Sequence, residues 1–270
     1  MKNKFKWILS MLVVIILLMG ILIIWNKDMG KASKQVRETV KFLDNMIDAK
    51  AIDENSHPKV EEVQEVKSIS TSNSTVAYTL IWKNCGVDLD EDYNVVGYLN
   101  QSENEAFENK LTEAKCYEYA SNYLKTIITD KFKYSSSQNN EDENSYTFTF
   151  YRYHKKYPNY NNEIKLKINK ETGKLVSYSA FCDENMEYKS NILLTEKRAI
   201  SKAEEYCSEM LNEKIKILGQ TTKGYFNAGE NKYVLCYIIN YKITEGENQD
   251  KQYSILITTD DGTVLNNIEK

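Results

Sequence analysis

The sequence predicts an α+β protein: an N-terminal transmembrane helix followed by tandem units, each with one helix packed on a small antiparallel sheet. Three observations predict it. A 19-residue apolar run, Trp7–Trp25, is broken only by Ser10 and Gly20. Two amphipathic helical patterns open on the same tripeptide, Leu111-Thr112-Glu113 and Leu194-Thr195-Glu196. Each is followed by alternating, β-prone stretches that close on a glycine turn, at Gly173 and at Gly262. The chain divides accordingly into a cytoplasmic tail (1–6), an anchor (7–25), a juxtamembrane helix with a degenerate α+β unit (26–107) and two repeated units (108–189 and 190–270).

A 19-residue helix is about 28 Å long, close to the ~30 Å hydrocarbon core of a bilayer. Trp7 and Trp25 bracket the run, where amphipathic rings favour the interface. Lys2, Lys4 and Lys6 precede it with no acidic residue among them, so the positive-inside rule places the N-terminus in the cytoplasm and residues 26–270 outside. The contrast is modest, because Lys27, Lys31, Lys34 and Arg37 follow the run. A cleaved signal peptide is the alternative. Its apolar region usually spans about 7–15 residues, and Gly30-Lys31-Ala32 is a poor, distant cleavage site, so length favours an uncleaved anchor.

In the next region, Val36, Val40, Leu43 and Ile47 recur at helical spacing until His57-Pro58 interrupts. Val63–Ser70 is ambiguous, with apolar residues at every third position. Val76, Tyr78, Leu80 and Trp82 alternate as a strand, and Tyr93–Leu99 is a second candidate. The region reads as a degenerate third copy in which Asn104 stands for the turn glycine.

In the first repeated unit Cys116, Ala120, Tyr123, Leu124, Ile127 and Ile128 form one apolar stripe. Ala199, Ala203, Tyr206, Cys207, Met210 and Leu211 repeat it in the second. Thr112 and Thr195 are natural N-caps, and the glutamate after each suits the positive end of the helix dipole. Tyr146–Tyr153 is an aromatic strand, followed by a turn-rich stretch around Pro158 and Asn159. Ile164, Leu166 and Ile168 then alternate with Lys165 and Lys167, and Lys174–Phe181 returns after Gly173. The second unit runs Tyr233–Tyr241, a loop at Glu245–Asp250, a strand through Tyr253, Ile255 and Ile257, and Thr263–Ile268 after Gly262. Both glycines sit where a hairpin requires φ > 0.

Composition narrows the function. Of 270 residues 35 are basic and 39 acidic, for a net charge of −4, which excludes nucleic-acid binding by bulk charge. Two histidines disfavour a multi-His metal or acid–base enzyme. The abundance of Asn, Lys, Ile, Tyr and Glu suggests an AT-rich genome, which fits a bacterium. No G-x-S-x-G, H-E-x-x-H, Walker or G-x-G-x-x-G pattern occurs. The expectation is a non-enzymatic protein without a cofactor, against the alternatives of an envelope hydrolase with an unmarked active site or a ligand or ion sensor.

Phe148, Arg152, Asn169, Thr172, Gly173, Val176 and Thr195 together resemble the PepSY-like repeats of YcdB/YcdC-type bacterial proteins, and more distantly YpeB- and YycH/YycI-type extracytoplasmic regulators. That pattern has an aromatic strand ending in Arg, a strand ending in Asp/Asn-x-x-Thr-Gly-x-Val, and a helix opened by Ser/Thr-Glu. It spans about 108–270, with Thr258 and Asp261 replacing Asn169 and Thr172 in the second unit, where the strand arginine is missing. The resemblance implies small extracytoplasmic modules that bind or restrain other envelope proteins, such as a peptidase, a cell-wall hydrolase or a sensor kinase. It implies no catalytic residues.

The candidate binding residues are Tyr151, Arg152, Tyr153 and His154. Arg152 and His154 share the strand face of Phe148 and Phe150, where a charge needs a partner, and Arg and Tyr are enriched at interfaces. The competing reading is a structural ion pair or an exposed edge. Of five cysteines, Cys116, Cys207 and Cys236 fall on predicted core positions. Cys85 and Cys182 lie near strand ends, and a disulfide between them is open outside the cell. Asp88, Asp90 and Asp92 have the start of a calcium-loop spacing, but Tyr93 and Leu99 stand where glycine and glutamate are required, which favours a solvated acidic turn. No metal ligand is assigned, and a weak irregular Ca²⁺ site at these aspartates stays open.

Overall fold

The computed structural model describes residues 33–59, 62–67, 76–101, 110–128, 132–181, 187–229 and 232–269. The expected anchor at 7–25, Asn104 and Cys182 lie outside these residues. Among the described residues no helix is long and apolar enough to cross a membrane.

Three α-helices are present among them: α1 (Lys34–Asp48), α2 (Glu113–Ile127) and α3 (Glu196–Glu209). The strands are β1 (Gln64–Lys67), β2 (Tyr78–Trp82), β3 (Cys85–Leu89), β4 (Val95–Asn100), β5 (Phe132–Asn140), β6 (Ser145–His154), β7 (Tyr157–Asn169), β8 (Leu175–Phe181), β9 (Glu187–Lys189), β10 (Ile215–Ile217), β11 (Thr222–Asn227), β12 (Lys232–Ile243), β13 (Gln252–Thr258) and β14 (Val264–Glu269). The expected tandem of one helix on its own small antiparallel sheet is corrected. The strands belong to one mixed sheet of 14, ordered β1-β2-β3-β4-β8-β7-β11-β12-β13-β14, with β5, β6, β9 and β10 attached beside this path. The pairings of β7 with β11 and of β9 with β12 are parallel. Each gives a ladder partner to backbone groups that a closed small sheet would leave at an edge.

The chain divides into two compact units. The first takes the described residues of Met1–Thr129, Gln138–Thr147 and Leu166–Ser179; the second takes those of Asp130–Ser137, Phe148–Lys165 and Ala180–Lys270. In the first, Ser33 caps α1 by accepting from the Val36 N–H (3.3 Å). The i, i+4, i+7 stripe of Val36, Val40 and Leu43 is buried with Phe42 and Met46. The Phe42 ring lies 6.0 Å from both Tyr98 and Tyr178. Leu80, Trp82, Val87 and Leu89 alternate into this core, and the Trp82 indole donates to the Ser56 carbonyl (2.8 Å). Removing a fully buried side chain here, as in Leu43→Ala, costs about 2–5 kcal/mol. Helix α2 buries Cys116, Ala120, Tyr123 and Leu124.

In the second unit, α3 lays Ala199, Ala203 and Cys207 against Tyr237, Ile239, Tyr241, Ile243, Ile255 and Ile257. Strand β12 organises the unit: β11 and β10 pair along it in succession, as do β9 and β13. Helix α3 ends at Glu209, so Met210, expected on its apolar stripe, is 72% exposed.

The turn expected around Pro158 and Asn159 lies earlier. Lys155 adopts φ 55° in the tight β6–β7 turn, and Pro158 and Asn159 are strand residues of β7. Proline is tolerated near the start of a strand. Strand β5 has no counterpart in the expected pattern, because Ser135-Ser136-Ser137 and Gln138-Asn139-Asn140 lack alternation and lie mostly exposed.

Candidate functional site

Tyr151, Arg152, Tyr153 and His154 form the last four residues of β6 and are all half-buried. Alternation sends Arg152 and His154 to the side of the buried Phe148 and Phe150, and Tyr151 and Tyr153 to the other. Tyr151 meets Tyr160 edge-on (4.8 Å, 66°), and Tyr160 stacks on Phe226 (5.1 Å, 20°). This stack depends on Gly224, where a Cβ would stand 2.3 Å from the Tyr160 ring. The Lys133 ammonium lies 4.5 Å from the centre of the Tyr153 ring, a cation–π contact.

His154 stacks flat on Tyr188 (4.0 Å, 7°) and meets Tyr225 edge-on (5.4 Å, 85°). Tyr188 also lies 5.0 Å from Tyr225 and 5.3 Å from Tyr233. Burial lowers the His154 pKa below the ordinary histidine range, and the Lys155 and Arg152 charges lower it further, so the ring stacks as a neutral aromatic at neutral pH. The cluster's hydroxyls are held within the unit. Tyr188 accepts from the Asn159 amide (3.0 Å), Tyr225 pairs with Ser190 (2.8 Å), and Tyr233 donates to Asn162 Oδ1 (3.2 Å).

The structure thus splits the four expected residues between the two faces of β6: Tyr151 and Tyr153 lie with Tyr160, Phe226 and Lys133, and His154 lies with Tyr188 and Tyr225. Those rings, and Tyr233 beside Tyr188, were not marked by the sequence. The one local signal was Gly224 inside a strand pattern, which indicates close approach by another chain segment. Tyr225 and Tyr233 are fully buried, and the half-buried rings Tyr151, Tyr153 and Tyr160, with Lys133 over Tyr153, lie on the face opposite Arg152. That chemistry suits docking through stacking and cation contacts.

The other marked residues serve structure. Asp90 Oδ1 accepts from the backbone N–H of Asp92 (2.9 Å) and Asn94 (2.8 Å), closing the acidic turn, and Asp88 accepts from the Thr79 hydroxyl (2.6 Å). Among the described residues no group of three or more His, Cys, Asp or Glu is placed to hold a metal. Cys85, Cys116, Cys207 and Cys236 are buried free thiols. Burial pushes the Cys116 thiol up to about 11 and Cys236 up to about 12, which leaves both unreactive.

No protein-family model matches this chain. No curated protein matches it either. Among solved structures it is similar to the Bacillus megaterium YpeB C-terminal domain, at 16% identity and a TM-score of 0.50, over 88% of this chain and 97% of that one. At that identity the likeness is one of fold alone, and it does not carry the YcdB/YcdC assignment.

Proposed function

We propose that this protein is a membrane-anchored, extracytoplasmic, non-enzymatic regulator that binds another envelope protein, in the manner of PepSY-like modules including those of YcdB/YcdC type. The carrying observation is the half-buried aromatic and cationic end of β6, Tyr151 to His154, backed by a packed aromatic cluster. Rigid rings supply contact area at low entropic cost, and Tyr and Arg are enriched among the residues that dominate interface energetics. The fold likeness to the YpeB C-terminal domain is consistent with this reading.

The test is photo-crosslinking from position 153 of the full chain in native membranes, followed by identification of the adduct. The expected result is capture of a peptidase, a cell-wall hydrolase or a sensor kinase whose own activity changes when this protein is added. Arg152→Ala should weaken that complex about tenfold or more. Substrate turnover by the purified chain, abolished by substitution of its own residues, would replace the binding role with an enzymatic one.

A further inference from the structure

Lys170, the second residue of the turn after β7, is only 5% exposed. Its backbone is held on both sides: its N–H donates to the Asn144 carbonyl (2.9 Å), and its carbonyl accepts from the Leu111 N–H (2.6 Å). The ammonium donates to Asn139 Oδ1 (2.5 Å) and lies 4.7 Å from the centre of the Tyr146 ring. Among the described residues no carboxylate forms an ion pair with it. A buried cation ordinarily has an acidic partner; here the hydrogen-bond acceptor is a neutral amide. The turn itself does not call for a lysine. The matching residue of the turn after β13 is Thr259, whose hydroxyl donates to the Asn191 carbonyl (2.6 Å).

The amine stands beside an amide carbon. A C=O bond is about 1.2 Å long, so Lys170 Nζ is no more than about 3.7 Å from Asn139 Cγ. Reacting atoms in a near-attack arrangement are about 3–3.5 Å apart. Asn139 is itself exposed, which gives a released ammonia a way out, and its Nδ2 lies 3.5 Å from Glu141 Oε1. We propose that Lys170 and Asn139 join in an intramolecular isopeptide bond, with Glu141 carrying the proton between the two nitrogens. The Lys170 ammonium releases a proton to solvent, and the neutral amine attacks Cγ to give a tetrahedral carbon. The Glu141 carboxylate takes a proton from the attacking nitrogen and returns it to Nδ2. The Cγ–Nδ2 bond then breaks, and ammonia leaves and takes up a proton from solvent. In sum an ammonium side chain and a carboxamide become a secondary amide and an ammonium ion, with no oxidant or reductant. The bond ties β5 to the turn after β7, 31 positions apart in sequence, and restricts the unfolded chain as a disulfide does.

Tryptic peptide mapping of the purified full chain by mass spectrometry tests this. The expected result is a branched peptide in which residues 134–152 are joined to residues 168–174, lighter than the two together by one ammonia and uncut after Lys170. Lys170→Arg and Asn139→Ala should each abolish the branched species in chains that keep the wild-type circular dichroism. Glu141→Gln, at an exposed position, should leave most freshly synthesised chains unbridged. Separate, unmodified peptides for both residues in the wild-type chain overturn the proposal, whatever the variants do. Loss of ammonia from the Asn139 peptide alone overturns it too, since that product is a succinimide. A bridge that forms as fast in Glu141→Gln overturns the part given to Glu141.

Discussion

The hairpin turn after β7 and the one after β13 reach the same geometry with their side-chain roles exchanged. In the first, the acceptor is the opening residue: Asn169 Oδ1 takes the backbone N–H of Glu171 (2.8 Å) and Thr172 (2.9 Å) and the Thr172 hydroxyl (3.2 Å). In the second, the acceptor is the fourth residue: Asp261 Oδ1 takes the Thr258 hydroxyl and the Thr263 N–H (3.0 Å), while the Thr258 oxygen also accepts from Thr263 N–H (2.9 Å). The backbone demands are alike. The fifth residue is glycine at φ 69° or 77°. The second residue's carbonyl accepts from the leucine before the helix cap, Leu111 to Lys170 (2.6 Å) and Leu194 to Thr259 (2.9 Å). Seven residues past each cap, Tyr119 and Lys202 cover the glycine. Backbone conformation is the strict requirement, and a side-chain acceptor can come from either end of the turn.

The largest expected difference lies at the glycines. Alanine in the left-handed region costs about 1–2 kcal/mol by itself. At Gly173 the new Cβ would stand 2.7 Å from the Tyr119 ring, which is stacked on Tyr123; Tyr123 is itself bonded to the Gly173 carbonyl (2.9 Å). At Gly262 it meets the flexible Lys202 chain first. Urea denaturation should show Gly173→Ala destabilised by about 3 kcal/mol and Gly262→Ala by about half of that. Equal losses would mean that the ring yields as freely as the lysine.

A smaller effect separates the turns by pH. Hydrogen bonds from Thr258 and then Thr263 hold the Asp261 carboxyl at about 2, below the ordinary aspartate value. Its folded pKa is depressed, so the stability it contributes is complete above about pH 4 and lost as the pH falls through about 2. The Thr263 amide resonance should titrate with a midpoint near that value, while the Lys174 amide, in the turn built on a non-ionising asparagine, stays flat. Asp261→Asn should flatten the Thr263 response. A titrating Lys174 amide would show that the two turns share a source of pH dependence.

The smallest effect should be an equality. Thr112 accepts from the Lys115 N–H (3.3 Å) and Thr195 from the Arg198 N–H (3.4 Å). Replacement of either by alanine should cost about 1 kcal/mol in thermal or chemical unfolding. A disparity greater than the loss itself would show that one helix is held by packing alone.

The caps, the two glycine turns and the alternation of β6, β7, β12 and β13 were legible because each depends on residues a few positions apart. Strand β5 was not, since Ser135 to Asn140 satisfy their backbone by pairing with β6 and leave no buried face in the pattern. The candidate site was half legible. Its own strand, Tyr151 to His154, stood out by composition, but the rings that define its surroundings come from Tyr188, Tyr225 and Phe226, far along the chain.

By itself the sequence determined where helices begin, where hairpins turn and which strand faces are apolar, because capping, φ > 0 and two-residue alternation are short-range conditions. Only the tertiary structure decided which strands are neighbours. The parallel pairings of β7 with β11 and β9 with β12 join segments with ladder hydrogen bonds that any extended backbone can make, so no side-chain pattern announces them.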